Sequence, residues 1–317
     1  MPRTVHQHNK QTLAPRPSFA RRLSTSPHPP KCTNSLPPLA SHLSIIVVDA
    51  LRYDFLTSPP ITFPTRNPPT LQTQHSSNDG VYKFISEPPT VTTQRLTAMT
   101  TGSIPTFISV ASSFTAGSVK EDNWLSRLSV SFTGDDTWTT LYPTSFVYSA
   151  PYPSFNTRDI NTVDDGVKEN YVKVINTGDV SVFHTLGVDH VGHTYGPSGV
   201  EMSSKLHDTD ILVNDIIKAG TERGDREGGC EVGIIFGDHG MTKGGNHGGG
   251  TKDEVEAGLY VWVKDGCGFR ENMGGNFEGN GIRQISVVSA ITDLMGRTGI
   301  YGNLGGGWTW GDERRAR

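Results

Sequence analysis

Four short runs of this chain are rich in apolar, mostly β-branched or aromatic residues: LSIIVVDA from Leu43, DVSVFHTLG (Asp179 to Gly187), EVGIIFGD (Glu231 to Asp238) and GLYVWV (Gly258 to Val263). Near-continuous hydrophobicity predicts strands buried on both faces, as in a parallel sheet covered by helices. Two other segments carry apolar residues at helical spacing. SSKLHDTDILVNDIIKAG places Leu206, Val213, Ile216 and Ile217 on one face and is expected to stop at Gly220. RQISVVSAITDLMG does the same with Ile285, Val288, Ile291 and Met295 before Gly296. A third helix-like stretch, QRLTAMTT, ends at Gly102. Strands interleaved with helices predict an α/β architecture with a largely parallel central sheet and helices on both faces.

Composition trims this picture at the ends of the chain. Residues 1 to 42 hold eight prolines, six Lys or Arg and no acidic residue, which cannot pack a core and reads as a disordered basic leader, similar in character to a transit peptide. The catalytic domain is expected over residues 43 to 305, with a short tail over 306 to 317. Twenty-five of the 36 glycines fall between Gly220 and Gly307, and DGCGFRENMGGNFEGNG is expected to be a mobile insertion. No repeat divides the 317 residues, which are enough for one large domain. No apolar run is long enough to span a membrane. A net charge of -4 argues against nucleic acid as a partner. Three cysteines are too few for a disulfide framework or a cysteine-based zinc site, and whether Cys230 and Cys267 pair is left open.

Candidate chemistry collects where the apolar runs stop. VVDA delivers Asp49, GVDHVGH delivers Asp189, His190 and His193, and FGDHG delivers Asp238 and His239. In open α/β sheets, ligands bind beyond the carboxyl ends of the strands, so these groups can converge in one crevice. Imidazole and carboxylate are the usual ligands of zinc and its neighbours. Each Asp taken singly is also an ordinary turn former or helix cap. Asp189 and His193 are four residues apart, which lets both face one ion from a helical turn. FGDHGMTKGGNHGG adds His247 among six glycines, a composition suited to tight turns or to close approach to a bound group. EPPTVTTQRL places Thr90, Thr92 and Thr93 before a helix, where a hydroxyl either caps the helix or meets an anion in the field of its N-terminus.

Together, VVDALRYDF, PPTVTTQRLTAMTTGSIPTF, EDN (Glu121 to Asn123), GDDTW (Gly134 to Trp138), PSFNTRDINTVDDG, LGVDHVGHTYGP and GDHGMT with NHGG resemble the lumenal catalytic domain of the GPI ethanolamine phosphate transferases, members of the alkaline phosphatase superfamily. The resemblance runs in order from Ser44 to Gly305, and MTTGSIPTF, GDDTW and SFNTRD point to the type 3 branch. It implies an alkaline phosphatase-like fold and two zinc ions, with manganese or magnesium as alternatives. Asp49, Thr92, Asp238 and His239 would surround one ion, and Asp189, His193 and His247 the other. Thr92 would be the nucleophile. Phosphoethanolamine would pass from phosphatidylethanolamine to Thr92, and then to a mannose of the GPI precursor glycolipid. The resemblance also implies a place on the lumenal side of the endoplasmic reticulum membrane, anchored through transmembrane regions that family members carry and this chain does not, and a small stabilising membrane subunit. The chain is therefore expected to be the catalytic part of a truncated or incompletely predicted gene product. The same ligands and nucleophile would equally serve a soluble metal-dependent phosphodiesterase in which water resolves the intermediate, and an inactive fragment could also keep them.

Overall fold

The computed structural model describes residues 37–57, 80–104, 118–272, 281–306 and 308–312. The predicted apolar runs form β1 (His42–Val48), β5 (Val180–Thr185), β6 (Glu231–Phe236) and β7 (Glu256–Val263) of an eight-stranded sheet. The other four strands are β2 (Gly80–Ile85), β3 (Val130–Asp135), β4 (Phe146–Tyr152) and β9 (Ile282–Arg283), and the order across the sheet is β4-β3-β5-β1-β6-β7-β2-β9. β1 lies at the centre, parallel to β5 on one side and to β6 on the other. Only β7 runs against the rest, because it is antiparallel to both β6 and β2. Alternation along the strands divides the core. Ile45 and Val47 face one layer, and Ile46 and Val48 face the other.

Helices cover both faces, and a single short turn of helix, α7 (Lys252–Val255), precedes β7. On the first lie α2 (Thr92–Thr101), α3 (Thr137–Leu141) and α8 (Val287–Leu294), which bury Leu96, Met99, Trp138, Leu141, Val288 and Ile291. On the second lie α1 (Tyr53–Thr57), α4 (Thr162–Ile175), α5 (Gly187–Tyr195) and α6 (Val200–Glu227). Each fully buried Val, Leu or Ile side chain contributes about 1.5–3 kcal/mol.

α6 extends beyond the expected stop at Gly220 and ends at Gly228, which adopts the left-handed conformation at φ 65°. Gly220 serves packing instead: a Cβ there would come within 2.8 Å of Glu231 Oε1. The boundary expected at 305 also falls short of the packed chain. Trp308 and Trp310 are buried in the first core layer, and Trp310 Nε1 donates to the carbonyl of Ala290 at 2.9 Å. β10 (Thr309–Asp312) pairs antiparallel with β8 (Phe269–Asn272), so the segment expected to be a mobile insertion contains a paired strand. Residues 273–280 of that segment, Cys32, and residues 1–36 of the basic leader lie outside the described residues. Leu39 and Ala40, inside the expected leader, are buried. Cys230 and Cys267 are free thiols. Among the described residues no helix is long and apolar enough to cross a membrane.

Candidate active site

Parallel strands bring their carboxyl ends to one edge of the sheet. Register aligns Val47 with Phe236 and Val48 with Thr185, so the residues that follow β1, β5 and β6 emerge side by side. Asp49 leaves β1 and is followed by Ala50 at φ 57°, an uncommon left-handed backbone for a residue with a Cβ. That turn aims the Ala50 amide at Asp238 Oδ1, at 3.2 Å. The backbone of Asp238 is held by two side chains that donate to its carbonyl: Gln284 Nε2 at 2.5 Å and Ser86 Oγ at 2.8 Å. Asp189 and His193 project from α5. The start of α5 is secured by Asp164 of α4, whose Oδ1 accepts from the amides of Leu186 at 2.9 Å and Gly187 at 3.0 Å.

The glycine-rich loop after β6 returns His247 to the same place. Gly245 has φ 75°, and a Cβ there would collide with the carbonyl oxygen of Gly192 in α5. The loop is then fastened to the segment before α2. Thr90 Oγ1 donates to the Gly249 carbonyl and accepts from the Gly248 amide, both at 2.9 Å, and His247 Nδ1 donates to the Thr90 carbonyl at 2.8 Å. Glu254 holds the far side, accepting from the amides of Gly249 and Thr251 at 2.7 and 2.9 Å.

The seven residues that the resemblance implies as ligands meet here. Thr92 is the first residue of α2, whose N-cap position is Val91 with no side-chain cap bond. Thr92 Oγ1 instead lies 3.3 Å from Asp49 Oδ2 and 3.3 Å from His239 Nε2. His239 Nε2 is 3.4 Å from Asp49 Oδ1 and 3.3 Å from Asp238 Oδ2. Asp189 Oδ2 lies 3.4 Å from His193 Nε2, and Asp189 Oδ1 lies 3.6 Å from His247 Nε2. The two groups abut, because the rings of His239 and His247 stack with centroids 3.9 Å apart. His239 falls within reach of both: its ligand atom gathers within 4.8 Å with those of Asp49 and Asp238, and equally with those of Asp189 and His247. His193 stands at the edge of the second group. His190 turns away, its Nδ1 donating to the carbonyl of Asp159 at 2.7 Å.

Electrostatics give this cluster its character. Burial, reinforced by Asp238 and Asp135, raises the Asp49 carboxyl well above the usual range, and burial with Asp49 does the same to Asp189. Burial also opposes ionisation of Asp238, but that carboxyl is nonetheless held low, with the Ala50 amide donating to its Oδ1. Burial pushes the imidazoles the other way: His193 and His239 are lowered, and His247 falls to about 4. The histidines are therefore neutral. His239 Nδ1 donates to the Gly240 carbonyl at 2.9 Å and His247 Nδ1 to Thr90, so each presents an Nε2 lone pair to the carboxylates. Asp49 Oδ1, Asp189 Oδ1 and Asp238 Oδ2 are buried and accept no hydrogen bond.

Lone pairs facing lone pairs at 3.3–3.6 Å repel unless a proton or a metal cation lies between them. Two ligands each about 2 Å from a tetrahedral zinc ion are separated by about 3.3 Å. The donor set of carboxylates, imidazoles and one hydroxyl thus fits zinc.

Sequence reasoning gave no role to three residues at this edge. His184, the one ionisable residue in the VSVFHT strand, points at Asp49, with Nε2 3.3 Å from Asp49 Oδ2. Asp135, at the end of β3, lies 3.8 Å from His184 Nδ1. Arg95, one turn after Thr92, is fully buried beside Glu87 at 3.5 Å, and burial lowers its pKa. A charged side chain in an otherwise apolar strand or helix face was the available signal.

Residues 65–285 match the type I phosphodiesterase / nucleotide pyrophosphatase family. The chain belongs to that family. It is 35% identical over 288 residues to the catalytic subunit of GPI ethanolamine phosphate transferase 3 from Homo sapiens, a match covering 84% of this chain and 25% of the relative. It is 36% identical over 299 residues to GPI ethanolamine phosphate transferase 3 from Saccharomyces cerevisiae, covering 86% of this chain and 29% of the relative. The chain thus spans under a third of the length of these curated relatives. The family resemblance read from its motifs stands. Among solved structures, the C-terminal periplasmic domain of EptC from Escherichia coli, in complex with zinc, superposes with a TM-score of 0.53 at 14% identity over 82% of this chain and 86% of that one. An alkaline phosphatase superfamily protein from Vibrio parahaemolyticus gives a TM-score of 0.54 at 12% identity, covering 86% of this chain and 70% of that one. At such identities the likeness establishes the fold, which is alkaline phosphatase-like.

Proposed function

We propose that this chain is the catalytic domain of a phosphoethanolamine transferase that moves phosphoethanolamine from phosphatidylethanolamine to a mannose of the GPI precursor, through a covalent intermediate on Thr92. The observation that carries this reading is the Thr92 hydroxyl. It leaves its own helix uncapped and lies 3.3 Å from both Asp49 and His239, among buried carboxylate oxygens that accept no hydrogen bond. The names of the relatives supply the transferred group and the acceptor class.

Asp49, Thr92, Asp238 and His239 would hold one zinc ion, and Asp189, His193 and His247 a second, with manganese or magnesium as alternatives. The zinc named with the E. coli EptC domain supports this choice of metal. When bound, zinc supplies Lewis acidity toward phosphoryl oxygens and favours the ionised form of a neighbouring hydroxyl. The protein's own part is orientation. Thr92 Oγ1 donates toward Asp49 Oδ2, which leaves its lone pairs free to approach phosphorus. The first turn of α2 presents its positive end to the phosphoryl oxygens. The Thr92 oxygen–phosphorus bond forms as the bond from phosphorus to the glycerol oxygen breaks, and diacylglycerol takes up the proton. The mannose hydroxyl then attacks phosphorus, the Thr92 oxygen leaves, and it takes up the proton that the mannose hydroxyl gives up. The same reading puts the domain in the lumen of the endoplasmic reticulum beside the membrane, and the description of the human relative as a catalytic subunit supports a further membrane subunit as partner.

The test is to incubate the chain and zinc with labelled phosphatidylethanolamine, quench in acid and map the label by mass spectrometry. Label is expected on Thr92 and absent from Thr92→Ala. Label on Thr90 or Thr93 would move the nucleophile, and turnover without any label would end the covalent mechanism. Release of free phosphoethanolamine in the presence of a mannoside acceptor, with no transfer to it, would instead favour a phosphodiesterase.

A further inference from the structure

Beside the seven candidate ligands lies a third cluster in which Asp49, Asp135 and His184 bring ligand atoms within 4.8 Å of one another, all buried. By composition alone it could hold another ion. A tryptophan decides otherwise. Trp138 Nε1 donates to His184 Nδ1 at 2.9 Å, and an indole N–H can only donate. His184 Nδ1 must therefore be the bare nitrogen, and the proton sits on Nε2, the atom 3.3 Å from Asp49 Oδ2. A nitrogen carrying a proton toward a carboxylate is a donor and not a ligand. Asp135 approaches Nδ1 only through Oδ2, at 3.8 Å and so beyond hydrogen-bond reach, while its Oδ1 accepts from the Thr137 amide at 2.7 Å.

We propose that Trp138 and His184 form a relay that positions Asp49: the indole sets the imidazole tautomer, and the imidazole holds Asp49 Oδ2 so that Oδ1, which accepts no hydrogen bond, faces His239 and the site. His184 is then a positioning residue that touches neither ion nor substrate. Its ring is fully buried and meets Trp138 edge-on, with centroids 6.5 Å apart at 84°. Hydrogen-bonded partners of this kind orient a metal ligand and raise its affinity by about 10- to 100-fold. The inference rests on the two-ion reading for the role of Asp49, but its core, the tautomer, does not.

Selective 15N labelling of histidine in the metal-free chain reads that tautomer directly, with the His184 signals identified by their loss in His184→Gln. Protonation at Nε2 is expected for His184, and the opposite form, at Nδ1, for His239 and His247. On adding zinc, His239 and His247 should shift while His184 keeps its Nε2 proton. A His184 protonated at Nδ1, or one that loses its Nε2 proton to zinc, overturns the relay. If zinc shifts no histidine at all, the two-ion reading fails while the tautomer still answers for the relay. In parallel, zinc competition against a chelator should show His184→Leu about 10- to 100-fold weaker, and His184→Gln, which can still donate to Asp49, restored to within a few-fold of the parent. Equal losses in both would reduce His184 to a packing residue and overturn the proposal.

Discussion

The two ends of the central strands carry clusters of the same residue types with opposite hydrogen-bonding states. At the amino ends of β1, β5 and β6, Glu231 accepts from His42 Nδ1 at 2.6 Å and from Ser44 Oγ at 2.9 Å, while His42 Nε2 meets Ser181 Oγ at 2.9 Å. Every side chain is buried, and none of their polar atoms is without a partner. At the carboxyl ends, Asp49, Asp189 and Asp238 are as deeply buried, yet each keeps one oxygen that accepts nothing. The Ser181, His42 and Glu231 chain contains the residue types of a hydrolytic triad, but it is closed and complete, so it holds strands together and has no access to substrate. Chemistry is expected where buried polar capacity is left unused, because folding alone gains nothing from leaving it so.

Three perturbations probe this contrast. Glu231→Ala breaks the closed cluster and leaves His42 and Ser44 without their carboxylate. It should cost about 3–5 kcal/mol in chemical denaturation while folded protein retains the parental zinc stoichiometry. Loss of zinc from protein shown to be folded would mean that the two ends are not independent.

Asp49→Asn should act in the opposite direction on the metal-free chain and stabilise it by about 1–3 kcal/mol, since it removes a buried charge with an unpartnered oxygen. The Asp49 carboxyl ionises at 3.8 when unfolded and well above that when folded. Between those values the folded state holds the extra proton, so Asp49 costs the fold more as pH rises through that window. The gain from Asp49→Asn should accordingly be largest near pH 7 and fade as pH falls toward 4, in thermal melts without metal. Added zinc should reverse the order of stabilities. A variant less stable than the parent at pH 7 in chelator would sink the idea that this end of the sheet is strained without a cation.

The smallest effect repeats the comparison across two threonines at the start of α2, one just before the helix and one at its first position. Thr90 has its hydroxyl engaged on both sides, whereas Thr92 does not cap its helix. Thr90→Val should cost about 1 kcal/mol and Thr92→Val less than that, while activity falls far more for Thr92. Equal stability costs would remove the distinction between a structural and a reactive threonine.

Much of this was legible in the chain. Near-continuous apolar runs ending in Asp or Asp-His declared buried strands and placed their carboxylates at one edge, since a strand period of two and a short turn leave little freedom in between. The i, i+4 spacing of Asp189 and His193 and the glycines before His247 could likewise be read locally, because the geometry they demand is local. What lay beyond reach depended on partners far apart in sequence. His184 finds Asp49 across 135 residues and Trp138 across 46, and neither pairing has a spacing rule. Gly220 looked like a helix stop because glycine's backbone freedom is visible in sequence, whereas the approach of Glu231 that requires it there is not. Trp308 and Trp310 looked like a tail until α8 offered a surface to bury them. Residue types and local periodicity therefore determined which groups could do chemistry. Which nitrogen carries a proton, which carboxylate oxygen is left bare and which histidine stands between the two groups were decided by packing, because hydrogen-bond satisfaction belongs to the assembled interior as a whole.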